Sequence, residues 1–272
     1  MKVDKFRTVI IYIIIILLGL VCLLPLLNIV AISFSSSAAV EGNMVGLIPV
    51  GFSTAAYKKI LEDSQFWHSF LISVERVVLT LIINFVLIVL MAYPLSKTNA
   101  QFRGRNIYAN LMIFAMLFNG GMIPTFLLVK SYGLLNTVWA LVLPGAVPIF
   151  NVILVMNFFA AVPKELEEAA FIDGANPLQV LTKIFIPISK PVLATVSLFS
   201  IVGSWNDFYS GLIYMSKAAY YPLMTYIQSL QINVEDLIKQ GNLSAVVDSA
   251  SLGNTNLNAA KIVIAVIPLL LI

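Results

Sequence analysis

Long apolar stretches alternate with shorter polar ones along the chain. Five runs, Val9–Ile32, Phe70–Tyr93, Ile107–Val129, Val138–Ala160 and Val192–Tyr214, are each long enough to cross a hydrocarbon core as a helix, which takes about 20 residues. A sixth run begins at Ile262 and reaches Ile272. As a helix it would rise only about 16 Å at 1.5 Å per residue, so the pattern predicts a sixth span that continues past Ile272. The prediction is an all-α membrane protein of six transmembrane helices, in which a short segment, residues 1–8, precedes one membrane domain from residue 9 to 272. The first run follows Lys2, Lys5 and Arg7 and could be taken for a signal peptide. It is longer than a secretory apolar region and no small-residue cleavage site follows Pro25, so it reads as an uncleaved span.

The polar connections set an orientation. Lys2, Lys5 and Arg7 precede the first run, Lys97, Arg103 and Arg105 fill the second connection without an acid, and Lys164, Lys183 and Lys190 lie in the fourth. By the positive-inside rule these segments face the cytoplasm. The other connections mix lysines with Glu62, Asp63, Glu235 and Asp236 and face outward. The N-terminus is therefore expected inside, and a long third outer loop runs from Met215 to about Lys261.

Composition agrees with this picture and narrows it. Charged residues make up 11% and hydrophobic ones 60% of the 272 residues, with a net charge of +3, against about 25% charged in soluble domains. That excludes an ordinary soluble fold, a disordered chain and a nucleic-acid binder. The lone Cys22, inside an apolar run, excludes a disulfide framework and a cysteine metal site. His68 is the single histidine and is expected in the outer loop beside Trp67, in an interfacial position, with no role assigned. An enzyme would need a nucleophile with its base, or a metal set, and the chain offers neither.

Two runs carry breaks. Asn119-Gly120-Gly121 and Pro124 interrupt the third, and Pro144, Gly145 and Pro148 the fourth. Proline removes a donor and glycine weakens the turn, so both helices should kink or open at mid-membrane. Irregular backbone at that depth is tolerated where it is buried in protein or lines a watery path, although Pro and Gly are also simply common in membrane helices. Glu75 and Arg76 sit near the outer end of the second span, where snorkelling to the interface is the favoured reading. Asp207, in the fifth run, must face protein or water, because an ionised carboxylate facing lipid costs about 2.5 to 3.5 kcal/mol. Capping a helix or pairing internally is its favoured reading, just ahead of ligand contact.

The fourth connection, residues 161–190, reads AVPKELEEAAFIDGANPLQVLTKIFIPISK. Pro163 suits a first helical position, Glu165, Glu167 and Glu168 complement the helix's positive end, and Gly174 is a left-handed stop. Asn176 as cap and Pro177 at the first position start a second helix, which Pro187 ends near Ile186. Such a helix–turn–helix is a knob with apolar surface at Phe171, Leu178 and Leu181. Its four acids outnumber its three lysines, which favours a basic or polar protein partner over an amphipathic linker on an anionic leaflet.

Glu168-Ala169-Ala170, three residues, Gly174, nine residues, then Ile184, Phe185, Ile186 and Pro187 resembles the EAA motif of ABC importer permeases (EAA, three, G, nine, I, x, L, P), with Ile186 for the usual Leu. The wider EEAAFIDGAN, with Pro191 after the motif, is similar to the carbohydrate, maltose-transporter-like branch. Ser204-Trp205-Asn206-Asp207-Phe208 through Tyr221-Pro222-Leu223 resembles that branch's fifth-span signature, and Asn119 through Pro124 resembles permeases for oligosaccharides of complex polysaccharides. The resemblance runs from about Phe6 to Ile272. It implies a type I importer permease in a prokaryotic cytoplasmic membrane that takes up a sugar or oligosaccharide handed over by an extracytoplasmic binding protein. It also implies a second related permease and two ATPase subunits as partners. Glu168, Ala169, Ala170, Asp173, Gly174 and Pro187 would form the ATPase-coupling loop, and Asn119, Gly121, Trp205, Asn206, Asp207 and Tyr209 are candidates for the translocation path. The outer loop, with Asn233, Gln240, Asn242 and Asp248 among its polar residues, would dock the binding protein. No GxxxxGK[ST] stretch is present, so ATP and Mg belong to the ATPase subunits and this chain is expected to bind no cofactor. The rival is an ion-coupled secondary transporter, for which Asp207 is the one plausible coupling acid and no inverted repeat is evident.

Overall fold

The computed structural model describes residues 5–230 and 255–270, with side chains described from Thr8 onward. Helices dominate, and no strand occurs among the described residues. The chain forms two compact units, residues 1–68 with 226–272, and residues 69–225.

In the first unit, α1 (Lys5–Ser33) is apolar on every side and exposed along most of its length, as expected of a helix whose surroundings are lipid or another subunit. The connection after it contains two helices that the hydropathy pattern does not reveal, α2 (Ser37–Glu41) and α3 (Ala55–Glu62). Ser36 caps α2 by accepting from the Ala39 amide, and Ser33 shares a 2.8 Å hydrogen bond with Tyr57 of α3. The last described helix (Thr255–Leu270) packs against α1, α2 and α3. It starts before the apolar run at Ile262, because Asn256 and Lys261 are buried on hydrogen bonds: Asn256 donates to the Ser35 carbonyl at 3.3 Å, and Lys261 to Asp63 at 2.8 Å. The polar stretch of the predicted outer loop, including Asn233, Gln240, Asn242 and Asp248, lies outside the described residues.

The second unit takes residues 69 onward of α4 (Ser64–Leu95), then α5 (Arg105–Leu117), α6 (Met122–Ser131), α7 (Val138–Val142) and α8 (Ile149–Ala160). The short helices α9 (Lys164–Ile172), α10 (Pro177–Val180) and α11 (Ile186–Ile188) follow, then α12 (Lys190–Asn206) and α13 (Tyr209–Tyr214). Ile88 and Ala92 of α4, Val152, Val155 and Phe159 of α8 and Val192 and Val196 of α12 make its main core.

Both predicted breaks are present. The pair α5–α6 bends by 110° across residues 118–121, and the segment Val138–Gly145 meets α8 at 47°. Gly121 holds φ +89°, where a side chain would be strained, and its amide donates to the Asn119 side-chain oxygen at 2.9 Å. Pro124 falls in the first turn of α6, where no intrahelical donor is needed. A third break was not anticipated: the fifth run stops at Asn206 and resumes at Tyr209. His68 lies inside α4, which begins at Ser64, and not in a loop.

Candidate functional site

Two constellations stand out in the second unit: the loop 161–190 and a polar seam among the spans.

The loop folds as the predicted helix, turn and helix, with differences at its ends. Pro163 stands at the cap of α9, one position earlier than expected, and Glu165 and Glu167 lie in the first turn. At the other end Gly174, at φ +83°, donates to the Phe171 carbonyl while Ala175 donates to that of Ala170. These two bonds are the Schellman closure that a left-handed glycine permits. Asn176 and Gln179 then form a reciprocal capping box, with bonds of 2.8 and 2.9 Å, before Pro177 opens α10. The helical path continues through a widened turn, Leu181–Phe185, and α11. Pro187 therefore does not end the segment; the chain turns at Ser189 by 84° into α12.

This geometry sorts the motif residues by face. Glu168, Ala169, Asp173, Gly174 and Pro187 are exposed and Ala170 is half-buried. Leu166, Phe171, Ile172 and Leu178 are exposed apolar neighbours, with Ile172 at 86%, whereas Leu181, expected on the same surface, is buried in the core. Glu167, one residue from Glu168 and on a different side of the helix, is the buried residue of α9. Its carboxylate accepts from Lys97 at 2.7 Å, and Tyr93 lies 3.5 Å away. The Lys97 ammonium also sits over the rings of Tyr93 and Phe185, 4.1 and 4.2 Å from their centroids. Burial pushes the Lys97 ammonium below its ordinary pKa, against the hydrogen bond and charge of Glu167. The sequence placed Glu167 only as a complement to the helix terminus.

The second constellation corrects the reading of Arg76. Its side chain does not snorkel; it is 4% exposed and reaches the break in the fifth run. One guanidinium nitrogen donates to the Asp207 carbonyl at 2.9 Å and another to the Asp207 carboxylate. The other carboxylate oxygen accepts from the Ser210 amide at 3.1 Å. Asp207 thus both caps the first turn of α13 and pairs internally. Exposed Glu75 takes no part.

Around the pair, Arg76, Thr80 and Asn84 of α4 face Ser200, Ser204 and Asp207, with Asn151 and Tyr214 nearby, around a cavity of about 260 Å³. Asn84 donates to Ser200 at 3.2 Å. Arg76 Nε, Thr80 Oγ1 and Asn84 Oδ1 are buried without a partner. Among the proposed path residues only Asp207 lines this cavity. Trp205 is buried with its ring edge-to-face on Phe70, at 5.7 Å between centroids, and Asn206 is exposed beside it. Tyr209 donates to Met122 Sδ at 3.0 Å, which brings it to the α5–α6 break that carries Asn119 and Gly121. The described residues contain no cluster of three or more metal-ligating side chains.

Broken membrane helices around a polar seam, with an exposed helix–turn–helix between spans, are the build of a transport permease. Over residues 2–272 the sequence matches the family described as binding-protein-dependent transport system inner membrane component, and the chain belongs to that family. It is 40% identical over 252 residues to Protein LplC of Bacillus subtilis (strain 168), covering 93% of this chain and 84% of that protein. It is 38% identical over 269 residues to the polygalacturonan/rhamnogalacturonan transport system permease protein YtcP of the same organism, covering 99% and 93%. Among solved structures, a bacterial ABC transporter involved in the import of the acidic polysaccharide alginate contains a chain with 32% identity and a TM-score of 0.86, over 100% of this chain and 95% of that one. The fold is that of a type I ABC importer permease. The chain is a transport subunit and not an enzyme, and ATP hydrolysis belongs to separate ATPase subunits.

Proposed function

We propose that this permease imports oligosaccharides cut from complex, acidic polysaccharides, delivered by an extracytoplasmic binding protein. It would work beside a second related permease on two ATPase subunits that hold ATP and Mg, with its own N-terminus inside. The observation that carries the coupling part is the exposed face of the EAA loop. Glu168, Ala169 and Gly174 lie on a knob whose neighbours Phe171, Ile172 and Leu178 are exposed within the described chain. A small, mixed acidic and apolar knob suits a cleft on a protein, where Glu168 would meet a basic group and the alanines would allow close approach. The substrate class rests on the polysaccharide systems in which similar permeases serve.

In the path, Asn119, Gly121 and Tyr209 would meet the sugar at the α5–α6 break, with Asn206 and Asp207 further along and Trp205 behind them. An ion-coupled mechanism is not favoured, since the one candidate coupling acid, Asp207, is held by Arg76.

Uptake of an oligogalacturonide mixture by proteoliposomes holding the assembled complex tests the reading. Wild type should accumulate the sugar only with ATP and the binding protein, and Glu168→Lys should abolish sugar-stimulated ATP hydrolysis while inserting normally. Uptake driven by an ion gradient without ATP would overturn it, and unchanged stimulation in Glu168→Lys would remove the coupling assignment.

A further inference from the structure

The EAA loop can move the membrane helices only through whatever ties it to them. In α9 that tie is narrow, because Glu167 is the buried residue of the helix and most of its other side chains point away from the unit. Glu167 ends on Lys97, two residues past the end of α4, at 2.7 Å. The two side chains are 11% and 12% exposed, so the pair is largely shielded from the solvent screening that makes surface pairs weak. It is also caged. Tyr93 and Phe185 meet edge-to-face at 5.1 Å, Phe159 stands 5.4 Å from Phe185, and the Lys97 ammonium lies over the first two rings. The same cage therefore joins α4, α8, α9 and the widened turn that leads to α12.

From this we infer that Glu167 and Lys97 are positioning residues for energy coupling: a strut that converts displacement of α9 into displacement of α4. The inference rests on the proposal that the EAA loop docks on the ATPase. On a helix, adjacent residues point about 100° apart, so neighbouring acids divide the labour. Glu168 faces the partner, and Glu167 carries the load inward. A compressible contact would let α9 tilt without moving α4, whereas a short charge-assisted bond held between aromatic faces resists both sliding and stretching.

The test compares ATP hydrolysis by the reconstituted complex with and without its binding protein loaded from an oligogalacturonide mixture. Glu167→Gln and Lys97→Met should each lower the stimulated-to-basal ratio about tenfold, within the usual range of coupling free energies, with recovery of the complex unchanged. Lys97→Arg, which keeps the cation, should retain at least half of the wild-type ratio. The reversed pair Glu167→Lys with Lys97→Glu should recover most of what either single reversal loses. A merely structural pair would lower recovery and thermal stability and leave the ratio of the surviving complex intact. Should Glu167→Gln not assemble, Lys97→Met and the reversed pair decide the matter alone. A wild-type ratio in Glu167→Gln or in Lys97→Met, alongside an uncoupled Glu168→Lys, overturns the strut and leaves the docking reading standing. A wild-type ratio in Glu168→Lys removes the docking reading itself.

Discussion

The EAA loop and the polar seam are both polar structures in an apolar protein, but they are assembled in opposite ways. The loop is local: its stop, cap and capping box join residues at most five apart, and its motif faces outward. The seam is distant. Arg76 meets Asp207 across 131 residues and Asn84 meets Ser200 across 116. A local device can be altered with little effect on the rest of the fold, whereas a seam that joins α4 to α12 holds the second unit together around a polar cavity. Damage to the loop should therefore appear in coupling, and damage to the seam in stability.

The largest test of that contrast is Asp207→Ala, which takes the carboxylate from the buried Arg76 guanidinium and leaves it on backbone carbonyls alone. Loss of one partner from a buried pair costs about 3 to 5 kcal/mol, and the thermal unfolding of the purified subunit should fall accordingly. Asp207→Asn, which can still accept from Ser210 and Arg76, should assemble and show altered transport. A fully normal Asp207→Asn transporter would make the residue structural. Next, Ser200→Ala removes the acceptor of Asn84 and should cost about 1 to 3 kcal/mol, the range for stranding a buried polar group. If it does not, water already satisfies the seam. On the loop, Gly174→Ala has open space for its methyl, so only the left-handed backbone opposes it, at about 1 to 2 kcal/mol. Its effect on stimulated ATP hydrolysis should exceed that of Ser200→Ala, while the unfolding temperature falls by no more than a few degrees; a reversed outcome would break the contrast.

The smallest effect serves as a control outside both regions. Burial raises the Asp63 carboxyl, but bonds from Lys261, Tyr226 and the Phe66 amide outweigh this and hold it below its ordinary value. A carboxylate depressed in the folded state stabilises above its unfolded pKa, and that contribution disappears as pH falls through the folded value. Unfolding temperature should therefore decline on acidification below about pH 4, and less steeply in Asp63→Asn.

The sequence reading was most complete where geometry is local. Gly174, Asn176 and Pro177 announced their turns, and Asn119 to Gly121 and Pro148 announced their breaks. The seam was legible only as a spacing that went unused: Ser73, Arg76, Thr80 and Asn84 recur every three or four residues along an otherwise apolar helix, which puts them on one face. Taken beside Glu75, Arg76 looked like an interfacial charge; taken with that stripe, it belongs to the interior. Ser200 and Ser204 of α12, with Asp207 just past its end, repeat the pattern. The Asp207–Phe208 break carries no Pro or Gly, and it is fixed by a partner far along the chain. Glu167 escaped for a similar reason, since nothing local tells an acid that caps a dipole from one that reaches Lys97.

The 110° bend between α5 and α6 also bears on how the chain enters the membrane during synthesis. With 13 and 10 residues, the two halves are about 20 and 15 Å long at 1.5 Å per residue, each short of a hydrocarbon core of about 30 Å. Neither half qualifies alone for partitioning into lipid, although the pair does. Residues 105–131 meet the length and composition of a crossing only when taken together, so the backbone that the bend uncovers has to be sheltered by protein wherever the segment lies in lipid.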